Sequence, residues 1–126
     1  MYMYQALTCL MTYLMASMHA HYGEATLVFA GDAMMHQSQI DAAHQRDGEY
    51  DFSEYFKAIQ PFVKEADYAV VNLETPLGGK PYSGYPCFCA PDSYAKALID
   101  AGFDCFLTAN NHALDRSDRG VRRTIE

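Results

Sequence analysis

The sequence predicts an α/β fold built around a mainly parallel sheet. Three short apolar runs are continuous rather than alternating, which is typical of buried parallel strands. Segments with helical spacing separate them, so the expected order is strand–helix–strand–helix–strand–helix with right-handed crossovers. Each run also ends in polar side chains, and open α/β sheets bind their ligands at the carboxyl edge. The three runs are Ala25–Ala30, Tyr68–Glu74 and Phe103–Ala109.

The first run is predicted to be a buried strand that leads into a helix. Gly31 permits a tight turn after Ala30 and leaves Asp32 at the carboxyl end of the strand. The segment Ala33–Arg46 has moderate helical character, and the pair Asp47–Gly48 is expected to end it.

The segment Phe52–Ala66 carries apolar side chains three and four residues apart, which predicts an amphipathic helix. Pro61 lies inside it, so a kink or a helix boundary is expected there. In the second strand, Asn72 and Glu74 alternate with an apolar residue and therefore share one face. The same pattern is also compatible with a polar strand end that caps the next turn.

The Gly, Pro and capping residues predict the boundaries of the remaining segments. Leu77–Pro91 holds most of the Gly and Pro in the chain and is expected to form a long loop with substrate contacts. Asp92–Ala101 is predicted to be a helix with Asp92 as its N-cap and Gly102 as its end. A last helix is expected over Asp118–Glu126.

Composition limits the partners. A formal net charge of −7 and a pI of about 5.0 argue against a nucleic-acid partner, which would need a basic face. The four cysteines form no paired Cys-x-x-Cys pattern, so a structural zinc site is not expected. Positive charge is concentrated after the third strand, where a local basic patch and a solvated helix face are the two interpretations. The residues concerned are Arg116, Arg119, Arg122 and Arg123.

Residues 1–23 are interpreted as a degenerate signal peptide or an N-terminal extension. The apolar stretch Ala6–Met18 is too short to span a bilayer but matches the core of a signal peptide. No Lys or Arg precedes it, and the cleavage pattern is poor. A buried helix and a misassigned start codon are the alternatives. An export signal would place the protein in the cell envelope, the periplasm or outside the cell, with membrane association through this segment; without one, the protein would be cytoplasmic.

The three strand ends are expected to form one site. Asp32 follows the first strand, Asn72 and Glu74 lie on the second, and Asn111 and His112 follow the third. Oxygen and imidazole ligands without thiolates suit Mn, Fe or Zn ions. Two such ions could clamp a phosphoryl group, with Glu74 as the bridging carboxylate. His112 could then protonate a leaving oxygen as a general acid.

Four motifs resemble the CapA family of bacterial capsule synthesis proteins, within the calcineurin-like metallophosphoesterases. The resemblance covers about residues 25–126, and the Asn-Asn-His-Ala-Leu-Asp block is its most specific part. It implies a role in making or exporting poly-γ-glutamate. The motifs are Phe29–Met35 (FAGDAMM), Val71–Pro76 (VNLETP), Ala101–Asp104 (AGFD) and Ala109–Asp115 (ANNHALD).

The resemblance implies a four-layer α/β/β/α sandwich with a two-metal site. Residues 24–126 would be the N-terminal part of that domain, its first βαβαβα portion. Asp32 matches a metal-binding Asp, and Glu74 stands where the wider group has a bridging Asp. Asn111 matches a metal-binding Asn, and His112 a His near the scissile bond.

Further family positions carry less defined roles. Asn72 and Asp115 match positions that would contact substrate or support the ligands. The wider group has Asp-x-His in its first motif, whereas His36 is offset by two residues; it would either substitute as a ligand or be a surface histidine on the helix. The group's later histidine motifs have no counterpart here, so residues outside this chain would complete the metal site.

Three functional hypotheses follow. The first is a metal-dependent hydrolase that cleaves a phosphoester, or an amide in a polyanionic polymer. The second is a non-catalytic envelope accessory protein that holds such a polymer during export. The third is an inactive fragment. In the first two, the expected partners are the capsule polymer or its synthesis and export machinery.

Overall fold

The computed structural model describes residues 23–126, and the predicted export segment lies outside them. The described residues form three parallel strands alternating with helices, which confirms the α/β fold and is consistent with part of a metallophosphoesterase-like domain. No helix within residues 23–126 is both long and apolar enough to cross a membrane. The elements are β1 (Leu27–Ala33), α1 (Gln37–Ala43), α2 (Gln60–Lys64), β2 (Tyr68–Leu73), α3 (Asp92–Ala101), β3 (Cys105–Leu107) and α4 (Ser117–Ile125).

The sheet brings the ends of its strands together. Its order is β1-β2-β3, with both pairs parallel. Asp32 on β1 lies opposite Asn72 on β2, and Asn72 lies opposite Leu107 at the end of β3. A register irregularity between Phe29 and Asp32 precedes this row. The polar residues that follow the strands therefore leave the sheet at one common edge.

The hydrophobic core lies on one face of the sheet. Alternate residues of β2 point into it, because successive side chains of a strand face opposite sides. Residues of α1, α2 and α3 pack against them. The central members are Ala69, Val71 and Leu73 of β2, Ile40 and Ala43 of α1, Val63 of α2, and Tyr94, Leu98 and Ala101 of α3.

The expectation that β1 is a buried strand is wrong for the described residues. Phe29 is 71% exposed and Leu27 is 56% exposed, whereas Val28 between them packs against the core. β1 is an edge strand, and Leu27 and Phe29 are absent from the hydrophobic core that α1, α2 and α3 form with the sheet. Leu107 of β3 is also exposed.

Two predicted helices are shorter than expected. Strand β1 continues to Ala33, so α1 begins only at Gln37 and ends at Ala43, three residues before Arg46. Residues 53–59 form hydrogen-bonded turns, and the helix proper starts at Gln60. Pro61 lies in the first turn of α2, where its missing N–H is not needed. It marks a helix start rather than a kink.

Helix α3 has the predicted bounds but a different cap. Pro91 is the N-cap, and Asp92 is the first helical residue, with its carboxylate bound to Arg123. Gly102 ends the helix in the left-handed region with φ 110°, where glycine has no steric penalty. Strand β3 is shorter than predicted, since only Cys105–Leu107 pair with β2.

Candidate functional site

Asn72 links the three strand ends. Its Nδ2 donates to Asp32 Oδ1 at 2.8 Å and to Glu74 Oε2 at 3.1 Å. Its Oδ1 accepts a hydrogen bond from Asn110 Nδ2 at 3.1 Å. Because Asn72 lies on the middle strand, one amide side chain connects the carboxylates of the first and second strands to the segment after the third.

Glu74 carries the perturbed carboxyl group of this cluster. It is buried, with 8% of its surface exposed. Burial raises the pKa of Glu74 above its ordinary value, and hydrogen bonding to the Asp32 carboxyl and its charge raise it further, while His112 opposes the shift. Two carboxyl groups thus face each other with no Lys or Arg ion-paired to them in the described part of the chain.

Asn110, rather than the predicted metal ligand Asn111, belongs to this hydrogen-bond network. Besides its bond to Asn72, Asn110 Nδ2 donates to the Leu73 carbonyl at 3.0 Å, and its Oδ1 accepts from the His112 backbone N–H at 3.1 Å. Asn111 is exposed and makes no side-chain hydrogen bond within residues 23–126. The signal for Asn110 was the doubled amide itself, since either residue could follow the strand.

His112 and Asp115 form a partly buried pair. The His112 Nδ1 lies 2.8 Å from Asp115 Oδ2, with 17% and 14% of the two side chains exposed. The same Oδ2 accepts the backbone N–H of Phe88 at 2.7 Å. The carboxylate therefore holds the imidazole through Nδ1 and leaves Nε2 available to a ligand.

Phe88 is a site residue that the sequence did not single out. It is 1% exposed, and its ring centroid lies 4.6 Å from that of His112 in an edge-to-face arrangement. The ring of His36 meets Phe88 at 5.1 Å, also edge-to-face. The long loop was expected to carry substrate contacts, but nothing in its composition distinguishes Phe88 from Tyr82 or Tyr85.

His36 lies at the start of α1. It is exposed, and its backbone N–H donates to Gln39 Oε1 at 2.7 Å. Its ring contacts Phe88, and no hydrogen bond joins it to Asp32 within the described residues. The structure thus places the His36 ring against Phe88, which also contacts the His112 ring.

The donor set fits part of a metal site. Asp32 and Glu74 carry hard oxygen atoms, and a bound cation would offset the burial of Glu74 and the neighbouring Asp32 charge, both of which raise the pKa of Glu74. Residues 23–126 contain no group of three or more His, Cys, Asp or Glu side chains arranged to hold a metal ion. The described residues therefore offer two candidate carboxylate ligands rather than a full coordination shell.

The cavities do not mark one binding site by size. A cavity of about 460 Å³ borders Asp32, with Tyr55 and Tyr94 among its apolar walls. A larger one, about 670 Å³, lies between α1 and the loop; its lining includes His44 and Lys80 but none of the predicted site residues. The hydrogen-bonded cluster around Asn72 is the better guide, because its residues carry the chemistry.

Comparison with known proteins gives a consistent assignment. The family model described as "Bacterial capsule synthesis protein PGA_cap" matches residues 26–126. The chain is 26% identical over 114 residues to the capsule biosynthesis protein CapA of Bacillus anthracis, a match that covers 86% of this chain and 27% of that protein. The chain thus spans about a quarter of the length of that relative. The chain belongs to the family of bacterial capsule synthesis proteins.

Proposed function

We propose that this protein acts on a capsule polymer at the cell envelope, as a metal-assisted hydrolase whose substrate is a phosphoester or an amide of a polyanion such as poly-γ-glutamate. One observation carries the proposal: an unbroken line of hydrogen bonds joins the carboxylate pair to the histidine pair. The family assignment supports a role in capsule synthesis, and the similar protein of Bacillus anthracis is likewise a capsule biosynthesis protein.

Asp32 and Glu74 would hold the divalent cation, and the exposed Asn111 is a further candidate ligand. The two-metal arrangement expected from the sequence needs ligands beyond those of residues 23–126. A cation bound there would act as a Lewis acid on a phosphoryl or carbonyl oxygen of the substrate. Asn72 keeps both carboxylates oriented, because its one amide nitrogen donates to each of them.

His112 is the proposed general acid. Asp115 accepts at Nδ1, so the protonated ring presents Nε2–H to the leaving oxygen. The carboxylate lies beside the positive charge that the ring carries before the transfer. Phe88 excludes water from one side of the ring and limits its rotation.

The experiment that tests this proposal measures the unfolding midpoint with Mn²⁺ or Zn²⁺ against a chelator, and turnover of a chromogenic phosphodiester. We expect the metal to raise the midpoint of the wild type but not of Asp32→Asn or Glu74→Gln. Turnover is expected to fall about 10²-fold or more in His112→Ala. The exposed Glu49→Gln variant is the matched control and should behave as wild type. Equal metal stabilisation in all variants would refute the metal assignment.

Two observations favour a second function. The described residues lack a complete metal-binding group, and His36 contacts Phe88 instead of pairing with Asp32. A non-catalytic accessory protein would use the same cluster to hold the polymer during export. Polymer binding without turnover, unchanged in His112→Ala, distinguishes this function from the first.

A further inference from the structure

Helix α4 carries a strong concentration of positive charge in an acidic protein. Residues 116–126 contain four of the nine basic residues of the chain but two of its sixteen acidic residues. The remainder of the chain is therefore strongly negative. A polyanion approaching this protein is repelled over most of the surface and attracted only locally.

Two of the four arginines have structural partners. Arg123 donates to both carboxylate oxygens of Asp92 at 2.7 Å and also contacts the Leu77 carbonyl. Arg116 donates to the Pro81 carbonyl. Its aliphatic stem fills the space over Gly78 and Gly120, where an added Cβ would lie 2.6 and 2.3 Å from Arg116 atoms. These contacts fix α4 against the start of the loop.

The other two arginines, Arg119 and Arg122, are exposed. Arg119 and Arg122 form no ion pair within residues 23–126, although Asp118 and Glu126 each lie four residues from Arg122. Together with Arg123 and Glu126 they line an open hollow of about 440 Å³. Residues three apart share one side of a helix, so Arg119 and Arg122 form a row along one side of α4.

We infer that Arg119 and Arg122 form a docking surface for an anionic polymer with repeating carboxylate groups. Guanidinium groups bind carboxylates in a bidentate geometry, and a row of two of them favours a ligand with repeated charges. Helix α4 begins two residues after Asp115, so the row lies on the element that leads away from the His112–Asp115 pair. This inference rests on the proposed function for the identity of the polymer but does not require a bound metal.

The test is equilibrium binding of labelled poly-γ-glutamate to the whole protein in the presence of EDTA, by fluorescence anisotropy over a series of salt concentrations. Arg119→Gln/Arg122→Gln should bind about tenfold more weakly and with a smaller salt dependence. Arg46→Gln/Lys64→Gln removes the same charge elsewhere and should stay within about twofold of wild type. Arg119→Lys/Arg122→Lys keeps the charge but loses the bidentate geometry, so it should bind with an affinity between those of the wild type and the Gln double variant, and it guards against a folding defect.

Other outcomes overturn the inference in distinguishable ways. Equal weakening in the two Gln double variants would show that only net charge matters. If Arg119→Gln/Arg122→Gln lost binding to phosphatidylserine vesicles but kept its affinity for the polymer, the surface would bind lipid instead. Binding that requires Mn²⁺ and is lost in Asp32→Asn but not in the arginine variants would reject this surface and leave the proposed function intact.

Discussion

The two outer strands of the sheet end in opposite ways. After β3, Asn110, His112 and Asp115 have hydrogen-bond partners for their functional atoms, and the buried Phe88 packs against them. Near the end of β1, Asp32 is exposed, and its carboxylate accepts a hydrogen bond from Asn72. The first end is organised by the protein itself. The second end is exposed, and its carboxylate is held by fewer contacts within residues 23–126.

The sharpest test of this contrast is removal of Phe88. Phe88→Ala deletes a fully buried ring and should lower the free energy of unfolding by about 3–5 kcal/mol. Chemical denaturation measures the change. Tyr85→Ala, in the same loop but 77% exposed, should cost far less. Comparable losses in both would mean that the loop does not anchor the third strand end.

Asp115→Asn should have the next largest effect. The carboxylate accepts two hydrogen bonds, and replacing it weakens both, so we expect a loss of about 1–3 kcal/mol in the free energy of unfolding. The exposed Asp118→Asn serves as the control in the same denaturation series. A change below that of the control would contradict the anchoring role of this pair.

Glu74→Gln should change stability in the opposite direction. Because the pKa of Glu74 is raised in the folded state, its contribution favours folding below the ordinary glutamate pKa of 4.5 and is lost as the pH rises through the folded pKa. At neutral pH, with chelator, the variant should therefore melt above the wild type, and the difference should vanish at low pH.

A second arm of this experiment adds Mn²⁺ at neutral pH. The wild type should then gain stability and the ranking should reverse, because only the wild type keeps both carboxylates for the cation. A pH-independent difference between the two proteins would show that Glu74 is not the group responsible.

The smallest effects are expected at the first strand end. Asp32→Asn removes a charge from an exposed site and should change the free energy of unfolding by about 0.5 kcal/mol or less without metal. His36→Ala loses one edge-to-face contact and should cost about 0.5 kcal/mol. Thermal unfolding with chelator measures both. A loss above about 2 kcal/mol in either would remove the contrast between the two ends.

The spacing of apolar residues and the positions of Gly and Pro predicted much of the fold. The apolar runs, the helix Asp92–Ala101 and the stop at Gly102 depend on local rules, and the structure has them. The exposure of β1 could not be predicted from these local rules. An apolar run reports what a strand can bury, whereas the exposure of Phe29 depends on which faces other elements cover.

Part of the candidate site could likewise be predicted from the sequence, and part of it depends on tertiary packing. Convergence at one edge follows from parallel strands, so Asp32, Asn72 and Glu74 could be predicted to be neighbours. The choice of Asn110 over Asn111 depends on how the chain turns after β3, and Phe88 reaches His112 only through tertiary packing. The doubled amide marks both asparagines, but local spacing does not decide between them, and it carries no signal for Phe88.

Asn72 has a consequence for chemical ageing of the protein. Its side chain donates to two carboxylates and accepts from one amide, so both of its polar atoms are in use. Deamidation to aspartate would replace the shared donor with a third negative charge and leave Asn110 Nδ2 facing an altered acceptor. A change of one mass unit at this position would therefore separate the carboxylates from the histidine pair, and intact-mass analysis of stored samples would detect the population affected.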